Sequence, residues 1–519
     1  MDGNFQNSSA FEKRIKRQII GKPHRFLAIA PLGFEQTLAR EIEFCNPQVV
    51  GDGKVEFTAK ITEAWKAVAY TRVANRIMMH IADFKAENFR DLEKKASEIP
   101  WELYFLDDRR KTIDERGQTT LHIHVTCKHS RLYHSDAVAE RLYKVIEGGS
   151  ESTPSTPQNL YVTLVDDRCT LWLDLAGEEL YKRGHERFVN DAPLKETIAA
   201  AMLFEAIEFA TAPSLDPSTT PSRASLRMTQ CCLLDLMAGS GTFSLEAAYM
   251  ASGLIPGKCR DFALKHQPAF KPATWKHIVS SMDSLAPTGL RNDNKKKQEP
   301  ANVTPKRDAT IVTPKREATI VTPKREAQVC PIAKIITSDI SERAVNIIRH
   351  NVECSPLAQS TTCEQTATSI SPQVHDFFTY SAKEIADACC ARNNASIPAT
   401  RDKDKHATRD KHTASDNDTQ PVIVLNPPYG KRLDFDAPAL YTRIGKKLAE
   451  LARELEPFGK KLTVAILAPN DDPRPGSKFT CTENLLRECP ALDPQRNPSA
   501  KHIATSHGGL GLGAFIAQI

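Results

Sequence analysis

The sequence predicts an α/β protein: a doubly wound, largely parallel sheet, preceded by a smaller α+β module and interrupted by two low-complexity insertions. Three observations predict it. After residue 190 helix-spaced and strand-like segments alternate; before residue 185 short alternating strands mix with amphipathic helices; and two polar stretches break the second pattern. At 519 residues the chain exceeds what one hydrophobic core usually organises, which agrees with two folded units.

Taken in order, residues 1–20 read as a basic flexible tail, in which Lys13, Arg14, Lys16 and Arg17 crowd together, followed by Lys22, His24 and Arg25. Residues 21–184 form the α+β module. Its strands fall at 24–30, 121–127, 160–165 and 170–175, and Ala137, Leu142 and Val145 give residues 135–146 helical spacing. Residues 185–519 carry the doubly wound sheet. Helices are expected at 194–210, 242–251, 342–352 and 439–455, with strands at 231–236, 333–338, 422–425 and 461–467 between them.

The first insertion, about 285–328, holds a nine-residue repeat: VTPKRDATI, VTPKREATI and VTPKREAQV, starting at Val303, Val312 and Val321. A proline and two adjacent basic residues in each copy cannot build a core, so a surface loop is expected. The second, about 385–420, repeats ATRDKDKH and ATRDKH amid small polar residues and reads the same way.

Composition narrows the function classes. The chain is 40% hydrophobic, 26% charged and 7% aromatic, ordinary for a globular protein. No apolar run approaches the roughly 18–20 residues that span a bilayer, and the N-terminus lacks a signal-type apolar segment, so the cytoplasm is the expected setting. Thirteen cysteines form no CxxC pair, which argues against a metal centre and against disulfides. A net charge of +5 has the right sign for a nucleic-acid partner.

Chemistry concentrates at three strand ends. In CCLLDLMAGSGTFSLEAA an apolar strand ends in Asp235, a turn carries Gly239 and Gly241, and a helix follows. Ligands of an open parallel sheet lie beyond the carboxyl ends of its strands, where glycines let the backbone come close. The third glycine of GxGxxG is missing, and the acid ahead of the turn suits an amino-acid moiety better than a pyrophosphate; a simple tight turn is the other reading. KIITSDIS ends in Asp339, placed either to accept from ribose hydroxyls or to cap the next helix. VIVLNPPYGKRL runs from a buried-strand pattern into Asn426, Pro427, Pro428 and Tyr429.

Two prolines remove backbone donors and leave carbonyl acceptors in fixed directions, between an amide and an aromatic ring. That set suits a planar base bearing an amino group. An exocyclic amine is a poor nucleophile because its lone pair is delocalised into the ring. If the Asn426 oxygen and the Pro427 carbonyl accept its two hydrogens, the nitrogen pyramidalises and aims the lone pair at an electrophile. Tyr429 would stack on the base, which must be flipped from its helix or already unpaired.

These motifs resemble those of bacterial THUMP-containing RNA methyltransferases, especially the guanine-N2 methyltransferases of large-subunit (23S) rRNA. LHIHVTCKHSRLYHSDAVAERLYKVI resembles the core of a THUMP domain, LWLDLAGEELYKRGHERFVNDAPLKETIAAAMLF the junction, and DLMAGSGTFSLEAAYMASGLIPGKCRDFAL the cofactor loop and its helix. The resemblance implies a Rossmann-like methyltransferase domain and S-adenosyl-L-methionine as cofactor, with no metal. It places the methionine part on Asp235, Gly239 and Gly241, the ribose on Asp339, and the adenine near Asp376 of HDFF. Asn426, Pro427, Pro428 and Tyr429 become the catalytic loop. Where the family has Pro and Cys in Asp-Pro-Met-Cys, this chain has Leu236 and Ala238, a change in packing. RNA is the implied partner, rRNA first, and Arg183 is either an RNA contact at the junction or a surface arginine. A tRNA guanine methyltransferase and a catalytically weak RNA-binding assembly factor stay open.

Overall fold

The computed structural model describes residues 9–105, 121–146, 158–189, 193–211, 230–283, 331–358, 369–390, 419–429, 436–470 and 480–519. The nine-residue repeats and most of the second insertion lie outside these residues.

The chain opens with helix α1 (Ser9–Ile15), which continues as a π-helical turn over Lys16–Ile20. For residues 9–20 this corrects the expectation of a flexible tail over 1–20; residues 1–8 lie outside the described residues. Phe11, Ile15 and Ile19 recur every four residues and are buried against the first core, an apolar stripe that the surrounding charges obscured. There follow β1 (Pro23–Ile29), α2 (Glu35–Glu41), β2 (Gln48–Gly51), β3 (Lys54–Lys60), α3 (Ile61–Tyr70) and β4 (Arg76–Lys85), the βαββαβ order of a ferredoxin-like unit. Helix α4 (Phe89–Ser97), β5 (Leu121–Lys128), α5 (Ser135–Ile146), β6 (Gln158–Val165) and β7 (Arg168–Asp174) extend the same sheet. Its order is β2-β3-β1-β4-β7-β6-β5, antiparallel except for the β5–β6 pair.

The second half contains α6 (Glu196–Thr211), β8 (Gln230–Asp235), α7 (Thr242–Ala251), α8 (Pro272–Asp283), β9 (Ile332–Asp339), α9 (Glu342–Glu353) and β10 (Gln373–Val374). It ends with α10 (Ala382–Cys390), β11 (Thr419–Leu425), α11 (Ala437–Leu455), β12 (Thr463–Pro469), α12 (Cys481–Glu488), β13 (Lys501–His507) and β14 (Leu510–Gln518). The strands form one sheet in the order β10-β9-β8-β11-β12-β14-β13. The first five are parallel, and the β13–β14 hairpin adds antiparallel edge strands. The interval expected as a second insertion, 385–420, begins inside α10, whose Ile385, Ala386 and Cys389 are buried.

Alternation along each strand sends side chains to two different cores. Leu233, Val424 and Leu467 face one core, with α6 and α7; Leu234, Ile423 and Ile466 face the other, with α10, α11 and α12. Burial on both faces explains why β8, β11 and β12 read as unbroken apolar runs. The chain leaves β8 for β9 and β10 on one side, then returns to β11 on the other. The topological switch point therefore lies between β8 and β11, and ligands of such sheets bind outside the carboxyl ends of the strands at that point.

A buried polar joint ties the two halves together. Arg183 donates to both oxygens of Glu246 on α7, at 2.9 and 3.1 Å, and to the carbonyls of Leu180 and Arg72 at 2.9 Å each. Arg72, at the start of the link to β4, donates to the Tyr249 carbonyl at 3.1 Å and to that of Leu254. Arg183 is only 5% exposed, so neither a surface arginine nor an RNA contact describes it. Beside it, Leu175, Leu180 and Leu194 belong to a core shared by both sheets.

Candidate active site at the β8 and β11 strand ends

Asp235 closes β8 at 1% exposure. Its Oδ2 accepts from the Ser244 backbone at 3.1 Å and the Ser244 hydroxyl at 2.7 Å, and that hydroxyl also meets Thr337 Oγ1 at 2.7 Å. Its Oδ1 is buried and has no hydrogen-bond partner. Burial pushes the carboxyl up to about 7, against the two Ser244 bonds, with a smaller upward push from Asp339.

The turn after Asp235 is stitched to the end of β9. Ala238 N–H donates to the Ser338 carbonyl at 3.1 Å, and Gly239 N–H donates to Asp339 Oδ2 at 2.9 Å. The two glycines differ in their reasons. Gly241 has φ +77°, and a β-carbon there would come within 3.1 Å of Ile348 on α9, so this glycine serves packing. Gly239 has φ +56°, and a β-carbon there would meet nothing within 4 Å: it faces open space.

Asp339 takes a second bond, from Ser341 N–H to Oδ1 at 2.9 Å, while Ser341 itself caps α9. The acid is thus a brace between two strand ends and not the helix cap. An ionised carboxylate has about four acceptor positions, so two bonds leave room for hydroxyl donors. Asp376 stands just past β10, where it caps the Phe377–Thr379 turn by accepting from Phe378 N–H at 3.0 Å. His375 N–H donates to the Asp339 carbonyl at 3.0 Å. Asp235, Asp339 and Asp376 therefore line consecutive strand ends.

On the other side of the switch point, Val424 pairs with Asp235, which puts Asn426 just beyond that rung. Asn426 Oδ1 is buried with no donor. Pro427 is buried, Pro428 exposed, and Tyr429 half-buried against the first core. Burial pushes the Tyr429 hydroxyl up to about 12, so the ring is neutral at working pH. The two orphaned oxygens, on Asp235 and Asn426, belong to the ends of the neighbouring strands β8 and β11.

Three participants escaped the sequence reading. Ser244 and Thr337 hold the Asp235 carboxylate, and nothing in their local sequence marks a contact made across strands. Ile340, directly after Asp339 at the end of β9, is a large apolar side chain left 69% exposed. Its position behind a strand-end acid was the available signal.

Comparison with known proteins follows this geometry. The family model described as "RlmL ferredoxin-like domain" matches residues 25–78, and "RMKL-like, methyltransferase domain" matches residues 223–376. The chain is 24% identical over 435 residues to a ribosomal RNA large subunit methyltransferase K/L of Allochromatium vinosum, covering 82% of this chain and 46% of that protein. It is 31% identical over 271 residues to the protein of that name from Photobacterium profundum, covering 51% and 35%. The chain thus spans less than half the length of these curated relatives. Among solved structures, a possible methylase from Clostridium difficile 630 shares the fold with TM-score 0.59 and 20% identity, covering 96% of this chain and 98% of that one. SMU.472 complexed with SAH does so with TM-score 0.59 and 18% identity, covering 96% and 98%. The fold and the two models agree: residues 25–78 match an RlmL ferredoxin-like domain, and residues 223–376, behind it in the chain, match an RMKL-like methyltransferase domain.

Proposed function

We propose that the chain transfers a methyl group from S-adenosylmethionine to the exocyclic 2-amino group of a guanine in large-subunit ribosomal RNA, in the cytoplasm, with the base flipped into the Asn426–Tyr429 loop. The observation that carries this reading is the Asn426 side-chain oxygen, buried at the switch point without a donor. An orphaned buried acceptor costs about 1–3 kcal/mol, a cost relieved when an occupant brings an N–H.

The residues fit the methyl donor. Asp235 offers a free carboxylate oxygen to an ammonium, Gly239 leaves open space beside the turn, and Asp339 keeps acceptor capacity for ribose hydroxyls. Asp376 and the exposed Ile340 would wall the adenine. When bound, S-adenosylmethionine supplies a methyl group on a cationic sulfur, already activated for attack. The chain's own work is positioning. Asn426 Oδ1 and the Pro427 carbonyl accept the two amine hydrogens and turn the nitrogen lone pair toward the methyl group. Tyr429, neutral and held by the core, offers a ring face to the base and no proton.

The test supplies the protein with methyl-labelled donor and either large-subunit rRNA or total tRNA, then maps the label by mass spectrometry. N2-methylguanine in the rRNA is the expected product. Label confined to tRNA, or donor binding with no methylated RNA, would overturn the assignment.

A further inference from the structure

The segment that leaves the first sheet, residues 175–189, is fastened to the Gly239–Gly241 turn twice. Asn351 of α9 makes one fastening: its side chain accepts from Phe188 N–H at 2.8 Å and donates to the carbonyls of Phe188, at 2.9 Å, and Ser240, at 3.1 Å. Arg187 makes the other. Its guanidinium, in a side chain 11% exposed, pairs with Glu196 at the start of α6 and donates to the hydroxyl oxygens of Ser240, at 3.2 Å, and of Thr242.

The bonding at the turn is one-sided. A guanidinium only donates, so both hydroxyls act as acceptors here and each keeps a proton to give. Ser240 is 6% exposed and Thr242 4%, and no acceptor among the described residues takes either proton. Arg187 Nε is also buried without a partner. The turn thus holds a surplus of buried donors, while Asp235 Oδ1, at the strand end just before it, is a buried acceptor with no donor. Buried polar groups are nearly always answered, and a local shortfall of this kind marks where a ligand supplies the answer. An open acceptor together with open donors is the complement of a zwitterion, an ammonium beside a carboxylate.

We propose that Arg187 is a positioning residue for the methyl donor: by occupying the oxygens of Ser240 and Thr242 it leaves their protons for the carboxylate of the donor's amino-acid end. Donating into a hydroxyl also strengthens that hydroxyl as a donor, because hydrogen bonds in a chain polarise one another. Glu196 answers the guanidinium's charge, so the carboxylate meets two oriented hydroxyls and not a bare cation. A staple that only tied the linker to the turn would work as well through backbone carbonyls, with no proton left idle in the interior. The inference rests on the methyl-donor reading above and deepens it, since the donor site is then completed by a residue of the segment joining the two sheets.

Titration calorimetry of the full chain with S-adenosylmethionine and with its decarboxylated form, which lacks only the carboxylate, tests it. Wild type is expected to prefer the complete donor by about tenfold to a hundredfold, the range for hydrogen bonds to a charged group. Thr242→Val removes one donating hydroxyl at nearly constant shape, and Arg187→Met combined with Glu196→Gln removes the clamp without stranding the acid. Each should weaken S-adenosylmethionine about tenfold and leave the decarboxylated ligand unchanged, which also shows that the variant is folded. Equal losses for both ligands, or unchanged S-adenosylmethionine affinity in both variants, overturn the assignment. A wild-type chain that binds neither ligand overturns the donor reading itself, and this inference with it.

Discussion

Ser244 and Glu246 stand on the same helix, α7, yet each serves a different kind of buried polar cluster. Around Glu246 both carboxylate oxygens are answered: Arg183 makes four hydrogen bonds, two of them to that carboxylate, and Arg72 adds an ion pair at 3.6 Å. Around Ser244 they do not. It satisfies one oxygen of Asp235 and leaves the other without a partner, and the neighbouring strand end repeats the shortfall at Asn426. Burial is similar in both places; completeness separates them. A finished network holds the fold together, whereas an unfinished one at a switch point is a place for something else to bind.

The largest effect should come from breaking the finished cluster. Arg183→Ala removes both hydrogen bonds to the Glu246 carboxylate and leaves it buried with only the Arg72 guanidinium, 3.6 Å away, and is expected to cost about 3–5 kcal/mol of stability, read by denaturant unfolding. The paired change Arg183→Met with Glu246→Leu should recover much of that loss. Next comes the unfinished cluster. Asn426→Ala should reduce single-turnover methyl transfer by about a hundredfold or more while leaving donor affinity and melting temperature nearly unchanged, by analogy with removal of one hydrogen-bonding group at a reacting centre. A large fall in melting temperature would place Asn426 with Arg183 instead.

The pH dependence at Asp235 is smaller and has opposite signs for stability and for donor binding. Because burial raises the Asp235 carboxyl to about 7, the folded state holds its proton over a range where the unfolded chain has released it. Its contribution to stability is therefore present at low pH and is lost as pH climbs from about 4 to about 7. Donor binding runs the other way, since an ammonium needs the ionised acid. Calorimetry should show affinity rising with pH, by up to about tenfold per unit below about 7, and Asp235→Asn should flatten the profile. The smallest effects belong to the glycines. Gly239→Ala and Gly241→Ala each strain a left-handed residue by about 1–2 kcal/mol, and only the second adds the clash with Ile348. Thermal melts should rank Gly241→Ala below Gly239→Ala, and donor titrations should rank them in reverse.

Much of the site was legible because its signals are local. A strand, an acid, a glycine turn and a helix are written consecutively, and α7 begins and ends where its spacing places it. The Asn426–Tyr429 loop follows its strand without interruption. What stayed hidden depends on partners far away in the chain. Arg183 looked like a linker residue because Glu246 lies beyond an entire helix and strand. The Phe11, Ile15 and Ile19 stripe was masked by the four basic residues between its members, Lys13, Arg14, Lys16 and Arg17, and α10 was lost in the polar run that follows it. The β13–β14 hairpin changes the sheet from wholly parallel to mixed, and alternating helix and strand signals carry no information about that final reversal.

Because α7 answers to Arg183 on one side and to Asp235 on the other, the apparent seam between the halves is not a place to cut. Excising the methyltransferase half would strip Glu246 of its cation and the last turn of α7 of the Arg72 guanidinium. A graft of this half onto a foreign module would have to bring Arg72 and the Leu175–Val189 stretch along, or supply equivalents, before the Gly239–Gly241 turn could be trusted to keep its shape.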